Sequence, residues 1–448
     1  MSENMNKKVI TRFAPSPTGL FHVGSARVAL FNYLFTKQND GEFLLRIEDT
    51  DEARSKPEWT QMIYDSLGWL GIDYKKSFIQ SERTEIYKKY LEKLISEDKA
   101  YVSKEEVKEE GQRAEVIRFR NPNKKVKFTD LIRGDIEFDT TELGDFIIAK
   151  SITEPIFHLT NVIDDFESGV THAIRGEDHI SNTPRHVLIF EAIGGKAPIY
   201  GHLPLILSET REKLSKRKHG ELVSIAYYQK EGYLSEAFIN FIAFLGWNPG
   251  GEQEILSMPE LIRQFDLTKV QKSGAIFNKE KLLWFNKEYI KKLPQERLKK
   301  EISEKLSKKY TYTDDLLNKI IPIITERINT FGELEKYVME GEFDYFFIVP
   351  EPLKEMLIWK KDTDFAIPKN NLQIMSEVIK NIQDSDFNEI SLKTILMPKA
   401  EELGKGSVLW PLRVALSGKD KSPDPFTLLA ILGKEESLKR IEKASNLL

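Results

Sequence analysis

The segment TRFAPSPTGLFHVGSARVALFNYLF, residues 11–35, constrains the fold more than any other part of the chain. It passes from a short apolar run through two prolines and two glycines into a long segment with helical spacing of apolar residues. Apolar runs at 8–13 and 43–47 flank the helical pattern at 25–36, and a second helical pattern follows at 59–70. This alternation predicts a parallel α/β sheet, whose ligands gather at the carboxyl ends of the strands, where the turn lies.

The rest of the 448-residue chain provides room for roughly two to four domains, and its apolar content of 40% can fill several cores. After Tyr101 the sequence changes to the charged VSKEEVKEEGQRAE and then to short strand-like pieces, which indicates an insertion. Beyond about residue 233 nearly all patterns are helical, with no fixed repeat period. We expect the α/β domain at 1–98 and 170–232, an inserted domain at 99–169, and helical modules at 233–305 and 306–448, the last with a break near 349–370.

The chain contains no cysteine, which excludes disulfides, cysteine-ligated zinc and a thiol nucleophile. We expect a reducing cytoplasm as its compartment. The start, MSENMNKKVI, lacks the apolar core of a signal peptide, and the densest apolar run, FINFIAFLGW, is far shorter than a bilayer crossing. We therefore expect no membrane partner. Because the net charge is only −4, an RNA-binding surface would have to be local.

The turn in the opening segment has the chemistry of an anion site. Pro15 and Pro17 stiffen the chain as it leaves the strand, and a helix that begins near Gly24 or Ser25 presents free amide groups and a positive dipole end. His22 and Ser25 add donors, so the turn suits a phosphate. An ordinary capped helix start, with Ser25 as the N-cap and His22 as a turn histidine, explains the same residues. The chain contains no Walker-type phosphate motif that would compete.

A second candidate phosphate site is the basic loop KLSKRKHG, residues 213–220. A solvated charge run would look the same. A glycine beside several lysines also suits a mobile loop that closes on a polyphosphate and meets charge as it develops. Together the turn and the loop point to one polyphosphate ligand.

These two motifs carry a family resemblance. HVGS resembles the HIGH motif and KLSKR the KMSKS motif of class I aminoacyl-tRNA synthetases, in the right order and spacing. RFAPSPTG, RIEDTD and GVTHAIRGEDH are similar to segments of the glutamyl-tRNA synthetase group, and GAIFNKEKLLWFNKEYI is similar to its stem-contact segment. The resemblance implies a Rossmann-type parallel sheet with an α+β insertion, followed by mostly α-helical domains. It also implies a monomer that ligates L-glutamate to the 3′ end of tRNA-Glu through a glutamyl-adenylate.

The resemblance assigns the glutamate pocket to Arg12, Ser16, Glu48, Asn161 and Arg175. Two arginines and one carboxylate suit a substrate with two carboxylates and one ammonium, with Glu48 as the ammonium partner. The alternative is that RIEDTD forms a surface charge cluster of Arg46, Glu48, Asp49 and Asp51. Phe157 stands where the family usually has a tyrosine, so one hydroxyl near the substrate is absent.

The resemblance also assigns the ATP site, in which His22, Lys213 and Lys216 are the expected catalytic residues. ATP should bring Mg²⁺ largely with it, and we expect no protein metal site and no zinc. Glu177 and Asp178 could touch ribose or metal, or cap a helix near Ser181. The full set of expected ATP-binding residues is Thr18, His22, Gly24, Ser25, Leu205, Ile206, Lys213 and Lys216.

The expected tRNA contacts rest on local charge and on the resemblance. The run 117–127 holds Arg118, Arg120 and three lysines without an acid, and the run 291–310 is rich in lysine, although either could be a solvated face. By resemblance, the insertion would hold the acceptor end, and Arg327 and Arg413 would meet the anticodon. A glutaminyl relative, a truncated relative that modifies a tRNA base, an enzyme that also charges tRNA-Gln and an inactive tRNA-binding paralogue are the alternatives.

Overall fold

The computed structural model describes residues 8–106 and 113–448, apart from the side chains of Lys216 and Arg217. The chain forms two compact units, Met1–Tyr289 and Ile290–Leu448. Among the described residues, every strand lies in the first unit, and no helix is both long and apolar enough to cross a membrane.

The first unit combines short strands with helices of very different length. Its strands are β1 (Ile10–Phe13), β2 (Glu42–Ile47), β3 (Lys76–Ile79), β4 (Ala100–Lys104), β5 (Glu115–Phe119), β6 (Lys125–Asp130), β7 (Gly134–Asp139), β8 (Phe146–Ser151), β9 (Glu154–Pro155), β10 (His172–Gly176), β11 (Ile199–Leu203), β12 (Ile206–Leu207) and β13 (Ala275–Ile276). Its α-helices are α1 (Val23–Gln38), α2 (Pro57–Trp69), α3 (Thr84–Ser96), α4 (Phe157–Glu167), α5 (Thr183–Ala192), α6 (Lys216–His219), α7 (Ile225–Lys230), α8 (Ser235–Ala243), α9 (Met258–Gln264) and α10 (Lys279–Lys291), which continues into the second unit.

The second unit is helical throughout its described secondary structure. Its α-helices are α11 (Gln295–Leu306), α12 (Asp314–Arg327), α13 (Phe331–Met339), α14 (Ala366–Lys380), α15 (Glu389–Leu403), α16 (Lys405–Ser417), α17 (Pro425–Leu432) and α18 (Lys434–Leu447). Segment 340–365 contains only short 3₁₀ turns, close to the predicted break.

The predicted α/β sheet is confirmed. Strands β1, β2 and β3 form a parallel sheet in that order, joined by α1 and α2 as crossover helices. Parallel strands β10 and β11 belong to a second sheet, in the order β10-β11-β6-β7, and beside it the amide of Thr171 donates to the carbonyl of Ile10 in β1 at 2.9 Å. The predicted insertion contains an antiparallel sheet in the order β4-β5-β8-β9.

Helix α1 is packed on most of its sides, which explains why it reads as a long apolar segment and not as a narrow stripe. Phe31 and Leu34 are fully buried within a core that also includes Phe238 and Phe285. The helix begins at Val23 and its N-cap is His22, whose side chain accepts from the amide of Ser25. The prediction that Ser25 is the N-cap is therefore wrong, because the imidazole takes the role that a hydroxyl usually has.

Candidate active site

A cavity of about 1330 Å³ opens at the carboxyl ends of β1, β2 and β10. It brings together every residue of the first unit that was predicted to bind glutamate or ATP, except Lys216, whose side chain lies outside the described residues. The residues brought together are Arg12, Ser16, Thr18, His22, Gly24, Ser25, Glu48, Phe157, Asn161, Arg175, Leu205, Ile206 and Lys213.

Beneath one end of this cavity lies a buried network of arginines and carboxylates. Arg12 donates through Nε to both oxygens of Asp165, at 3.0 and 3.2 Å. Arg46 donates through Nη1 to Asp165 Oδ1 at 2.5 Å and through Nη2 to Glu48 Oε1 at 2.9 Å. Asn161 also donates to Glu48 Oε1, at 2.9 Å. Arg46 and Glu48 are 1% and 7% exposed, so the alternative of a surface charge cluster is wrong for these two residues.

The network keeps its groups charged. Burial opposes ionisation of Asp165, but the guanidinium groups of Arg12 and Arg46 outweigh it and hold the pKa of that carboxyl below its usual value. Burial likewise opposes the charge of Arg46, and the carboxylates of Asp165 and Glu48 raise its pKa nonetheless. Such a network loses much stability if one member is removed, because the remaining charge is left without its partner.

The adjacent Asp164 shares Arg46 with this network, since Arg46 Nε lies 3.9 Å from its Oδ2, and it has three further partners. It accepts from Gln80 at 2.7 Å, from Arg83 at 2.8 Å and from the hydroxyl of Tyr87 at 2.8 Å. Together the two clusters contain three arginines and three carboxylates, so their charges cancel.

Arg175 has a different environment. Its guanidinium, 6% exposed, donates to the imidazole nitrogens of His202 and His186, each at 3.2 Å, and to the hydroxyl of Thr183 at 2.8 Å. No carboxylate among the described residues forms an ion pair with it. Burial is the main reason why the pKa of Arg175 falls to about 10. A buried cation that touches only neutral groups is prepared to receive an anion.

The partners of Arg175 must be neutral histidines. Arginine only donates, so Nε2 of His202 and Nδ1 of His186 accept. His202 can then donate through Nδ1 to Asp130, at 2.6 Å, and this carboxylate fixes its tautomer. Burial, followed by the charge of Arg175, lowers the pKa of His186 well below its usual value. Burial also lowers the pKa of His202.

Phe157 lies against three histidine rings at the same end of the cavity. Its ring centroid is 5.5 Å from that of His158, 5.7 Å from that of His179 and 5.4 Å from that of His186. Burial lowers the pKa of both His158 and His179 to about 4, with help from the nearby charge of Arg175. The position that usually carries a tyrosine hydroxyl is thus surrounded by neutral imidazoles.

The helix start at the other end of the cavity has the character of an anion site. His22 Nδ1 accepts from the amide of Ser25 at 3.1 Å, and His22 Nε2 lies 3.1 Å from the hydroxyl of Ser25. Desolvation, and then the charge of Lys213, lowers the pKa of His22. Because Nδ1 accepts from an amide, the proton of the neutral ring lies on Nε2. A Cβ on Gly24 would lie 3.0 Å from the imidazole, which explains why a residue without a side chain follows this histidine so closely.

The backbone at Leu205 and Ile206, two residues predicted to bind ATP, is fixed from several sides. Glu177 accepts from the amide of Leu205 at 2.8 Å and is itself paired with Arg133. The buried Arg27 donates to the carbonyl of Pro204. Glu177 therefore holds backbone, while the expected contact of Glu177 or Asp178 with ribose or metal stays a prediction.

Lys213 stands at the start of the basic loop, where it forms an isolated bridge with Leu207, and its side chain lines the cavity. Lys218, in contrast, pairs with Glu212 at 2.9 Å. Among the described residues there is no group of three or more histidines and acidic residues with the arrangement of a metal site.

Sequence reasoning missed the residues that support the site. Arg46 lies inside RIEDTD, and Asp165 is the second acid of NVIDDF, a double acid within an apolar helical pattern. Two acids on a helix that is otherwise buried were the available signal, since unpaired buried carboxylates are rare. Nothing in the sequence indicated that Arg27 and Glu177 hold the backbone at 204–206.

The basic run at 117–127 is not a bare positive surface. Its arginines pair with Glu105 and Asp98, at 2.8 Å in both cases. Its lysines pair with Glu191 at 2.6 Å and with Glu137 at 3.0 and 2.8 Å. The acids come from other segments, so counting charge along the run overestimated its positive potential.

The two predicted anticodon residues lie in the second unit with their guanidinium groups held in place. Arg327 donates to the hydroxyl of Tyr345 at 3.3 Å. Arg413 donates to the carbonyl of Asp420 at 2.6 Å and lies over the ring of Trp410, 4.7 Å from its centroid. Both are partly accessible, and each is presented by an aromatic neighbour.

Comparison with known proteins places this geometry in context. The family model for the catalytic domain of tRNA synthetases class I (E and Q) matches residues 8–115 and 103–284, and a model for an anticodon binding domain matches residues 288–445.

Full-length relatives agree with these family models. The chain is 39% identical to a glutamate–tRNA ligase of Aquifex aeolicus strain VF5, over 97% of this chain and 98% of that protein. It is 37% identical to a glutamate–tRNA ligase of Sulfurihydrogenibium sp. strain YO3AOP1, over 96% and 98% of the two chains. A crystal structure of a glutamate tRNA ligase from Elizabethkingia meningosepticum, in complex with its amino acid, is similar with a TM-score of 0.88, at 35% identity over 99% of this chain and 100% of that one.

Proposed function

The chain belongs to the class I tRNA synthetases of the E and Q group, and we propose from this premise that it ligates L-glutamate to the 3′ end of tRNA-Glu in an ATP-dependent reaction. The single observation that carries the choice of amino acid is Arg175, a buried cation that contacts only neutral groups.

The charges of the pocket complement glutamate. Arg12, Arg46 and Arg83 are balanced by Glu48, Asp164 and Asp165, which leaves Arg175 as an additional positive charge among the residues predicted to bind glutamate. Glutamate at neutral pH carries two carboxylates and one ammonium, a net charge of −1. We assign the side-chain carboxylate of glutamate to Arg175, so glutamine, which has a neutral amide in that place, would leave Arg175 buried without an anion, which is costly.

Individual residues can then be assigned to the chemical groups of glutamate and ATP. The terminal amino groups of Arg12 and those of Arg175 bind carboxylates, while the free oxygen of Glu48 accepts from the ammonium. Ser16 and Asn161 add hydrogen bonds, and Phe157 closes the pocket with an apolar face. Thr18 in the turn before α1, Gly24 and Ser25 at the start of α1, and Leu205 and Ile206 along the adenine bind ATP.

The reaction needs no nucleophile from the protein. A carboxylate oxygen of glutamate attacks the α-phosphorus of ATP, a new P–O bond forms, and the bond to pyrophosphate breaks. A hydroxyl of the terminal adenosine of tRNA then attacks the activated carbonyl, and AMP leaves. His22, through Nε2–H, together with Lys213 and Lys216 stabilises the charge that develops on the phosphate oxygens.

Mg²⁺ bound to the ATP phosphates supplies further charge neutralisation. It prefers phosphate and water oxygens with few protein ligands.

We assign the RNA contacts to the remaining segments. The insertion at 99–169 meets the acceptor end, segment 233–305 contacts the stem, and 306–448 binds the anticodon through Arg327 and Arg413. The enzyme acts as a monomer in the cytoplasm. A chain without cysteine forms no disulfides, so a reducing compartment suits it.

Pyrophosphate exchange into ATP tests the proposal. The purified chain is assayed with glutamate, glutamine or aspartate, with and without tRNA-Glu, followed by aminoacylation of the same tRNA. Of the three amino acids, we expect only glutamate to support exchange and charging. Exchange that is equally rapid with glutamine would contradict the role of Arg175, and charging of tRNA-Glu that does not require ATP would contradict the adenylate.

A further inference from the structure

Arg46 lies just outside the cavity and contacts two carboxylates. One is Glu48, which is assigned to the ammonium of the substrate, and the other is Asp165, which holds Arg12, an arginine assigned to a substrate carboxylate. It is 1% exposed and is not among the residues that line the cavity. Its Nε and Nη2 donate to Glu48 Oε1, at 3.2 and 2.9 Å, and its Nη1 donates to Asp165 Oδ1 at 2.5 Å. One planar guanidinium therefore holds two carboxylates in a fixed relation.

Asp165 extends this link to Arg12. It occupies the Nε edge of Arg12, and among the described residues no hydrogen bond engages the two terminal amino groups of that arginine. Those amino groups are the donors left to face the cavity, which Arg12 lines. The direction in which Arg12 presents them is thus set by Asp165, and the place of Asp165 is set by Arg46.

Glu48 is oriented in the same way. Arg46 and Asn161 both donate to Oε1 of Glu48, so Oε2 is the oxygen left for a ligand. One buried side chain, Arg46, therefore links this oxygen to the amino groups of Arg12 through Asp165. A substrate that carries an ammonium and a carboxylate is sensitive to the separation between this oxygen and those amino groups, because charge-assisted hydrogen bonds require correct geometry at both ends.

We propose that Arg46 is the positioning residue of the amino-acid subsite, which sets the distance between its cation-binding carboxylate, Glu48, and its anion-binding guanidinium, Arg12. The inference rests on the proposed function, because it takes glutamate as the ligand of this subsite. Arg46 does not touch the substrate. It acts through Glu48 and Asp165.

Arg46→Lys is the decisive variant, because it keeps the charge and removes the fork that joins the two carboxylates. The KM for glutamate should rise roughly ten- to a hundredfold in pyrophosphate exchange with tRNA-Glu present, while the KM for ATP should stay within about twofold of wild type. Asp165→Asn tests the same link without a change in volume, and its KM for glutamate should also rise.

Arg83→Lys is the matched control, since Arg83 pairs with Asp164 in the neighbouring cluster and does not line the cavity. It should leave both KM values unchanged. An unchanged KM for glutamate in Arg46→Lys, or equal increases in both KM values, would overturn the proposal. Loss of folding in both Arg46→Lys and Asp165→Asn, with Arg83→Lys folded, would show a purely structural role and would overturn it too.

The wild-type chain separates this inference from the proposed function. If the wild type lacks glutamate-dependent exchange, the proposed function fails. If the wild type is active, and the Arg46 and Asp165 variants have the same KM for glutamate as the wild type, the proposed function stands and the positioning role is wrong.

Discussion

Replacement of Arg175 by methionine should separate glutamate binding from stability, because this arginine is buried without a carboxylate partner. A fall of the arginine pKa from its usual value above 12 to about 10 corresponds to roughly 3 kcal/mol by which burial of the charge destabilises the folded protein. The variant recovers this free energy. It also loses hydrogen bonds to His186, His202 and Thr183 and a long one, 3.5 Å, to the carbonyl of His179, each worth roughly 1 kcal/mol or less. The two contributions have similar size and opposite sign, so the free energy of unfolding should fall by less than in a variant that breaks a buried ion pair.

Arg12→Met gives the contrast. Arg12 forms a buried ion pair with Asp165, and its removal leaves a buried carboxylate with only Arg46 as a cationic partner. Breaking such a pair costs about 3 kcal/mol or more. Two arginines that line the same cavity should therefore differ clearly in the urea midpoint of their methionine variants.

Both variants should lose glutamate binding. A charge-assisted hydrogen bond contributes roughly 1.5–3 kcal/mol, so loss of a forked contact from Arg175 should raise the KM for glutamate at least about a hundredfold. Urea unfolding and pyrophosphate exchange with tRNA present measure the two effects. Arg185→Met is the control, since Arg185 lies on α5 but does not line the cavity, and it should change neither quantity much.

Two results would refute the reasoning. A loss of stability in Arg175→Met as large as that in Arg12→Met would mean that Arg175 is not an uncompensated cation. A KM for glutamate within about threefold of wild type in Arg175→Met would mean that this arginine does not bind the substrate.

Four further predictions follow from the site. His22→Ala should slow adenylate formation by about 10²-fold or more in single-turnover assays while glutamate affinity stays nearly constant, and an unchanged chemical step would contradict the role of His22. Phe157→Tyr should be tolerated, and a rise in glutamate affinity above about tenfold, roughly 1.4 kcal/mol, would show that the pocket lacks that hydroxyl. His158 and His179 are buried as neutral rings, and burial lowers the pKa of each to about 4. Below about pH 6.5 the unfolded chain therefore binds more protons than the folded chain, so the free energy of unfolding should fall as the pH drops from 6.5 towards 4. In urea unfolding, His158→Gln should lose less stability than wild type between pH 7 and pH 5. Arg327→Gln should reduce the preference for tRNA-Glu over tRNA-Gln, by about 1–3 kcal/mol if Arg327 reads a base edge, and an unchanged ratio of charging efficiencies would leave it as a phosphate contact.

The order of strands and helices in the sheet was predictable because it depends on local periodicity. Predicted strands at 8–13 and 43–47 correspond to β1 and β2, and the predicted helix at 25–36 lies within α1. The residues that line the cavity were also predictable, since they lie in motifs at the ends of these elements. The N-cap was not, because an imidazole rarely caps a helix and its choice depends on side-chain geometry at His22.

The partners of buried charges could not be predicted from the sequence. Arg46 and Asp165 are 119 positions apart, and only the packing of β2 beside α4 brings them together. The predicted positive surface at 117–127 fails for the same reason. Acids from distant segments neutralise its cations, as Glu191 does for Lys124. Local charge counts measure composition, whereas the potential at a surface depends on which acids fold beside it.

The neutral histidines around Arg175 complete the electrostatic argument. If His186 or His202 were protonated, it could no longer accept from Arg175, and the pocket would carry an additional buried cation. Burial keeps the pKa of both rings low, and Asp130 holds the acceptor nitrogen of His202 towards Arg175. The charge of this part of the pocket is therefore constant as long as both rings accept from Arg175. A binding site that must distinguish a net charge of −1 from a neutral amide requires this constancy, because each additional proton in the pocket would favour anions of any shape and weaken the selection by geometry.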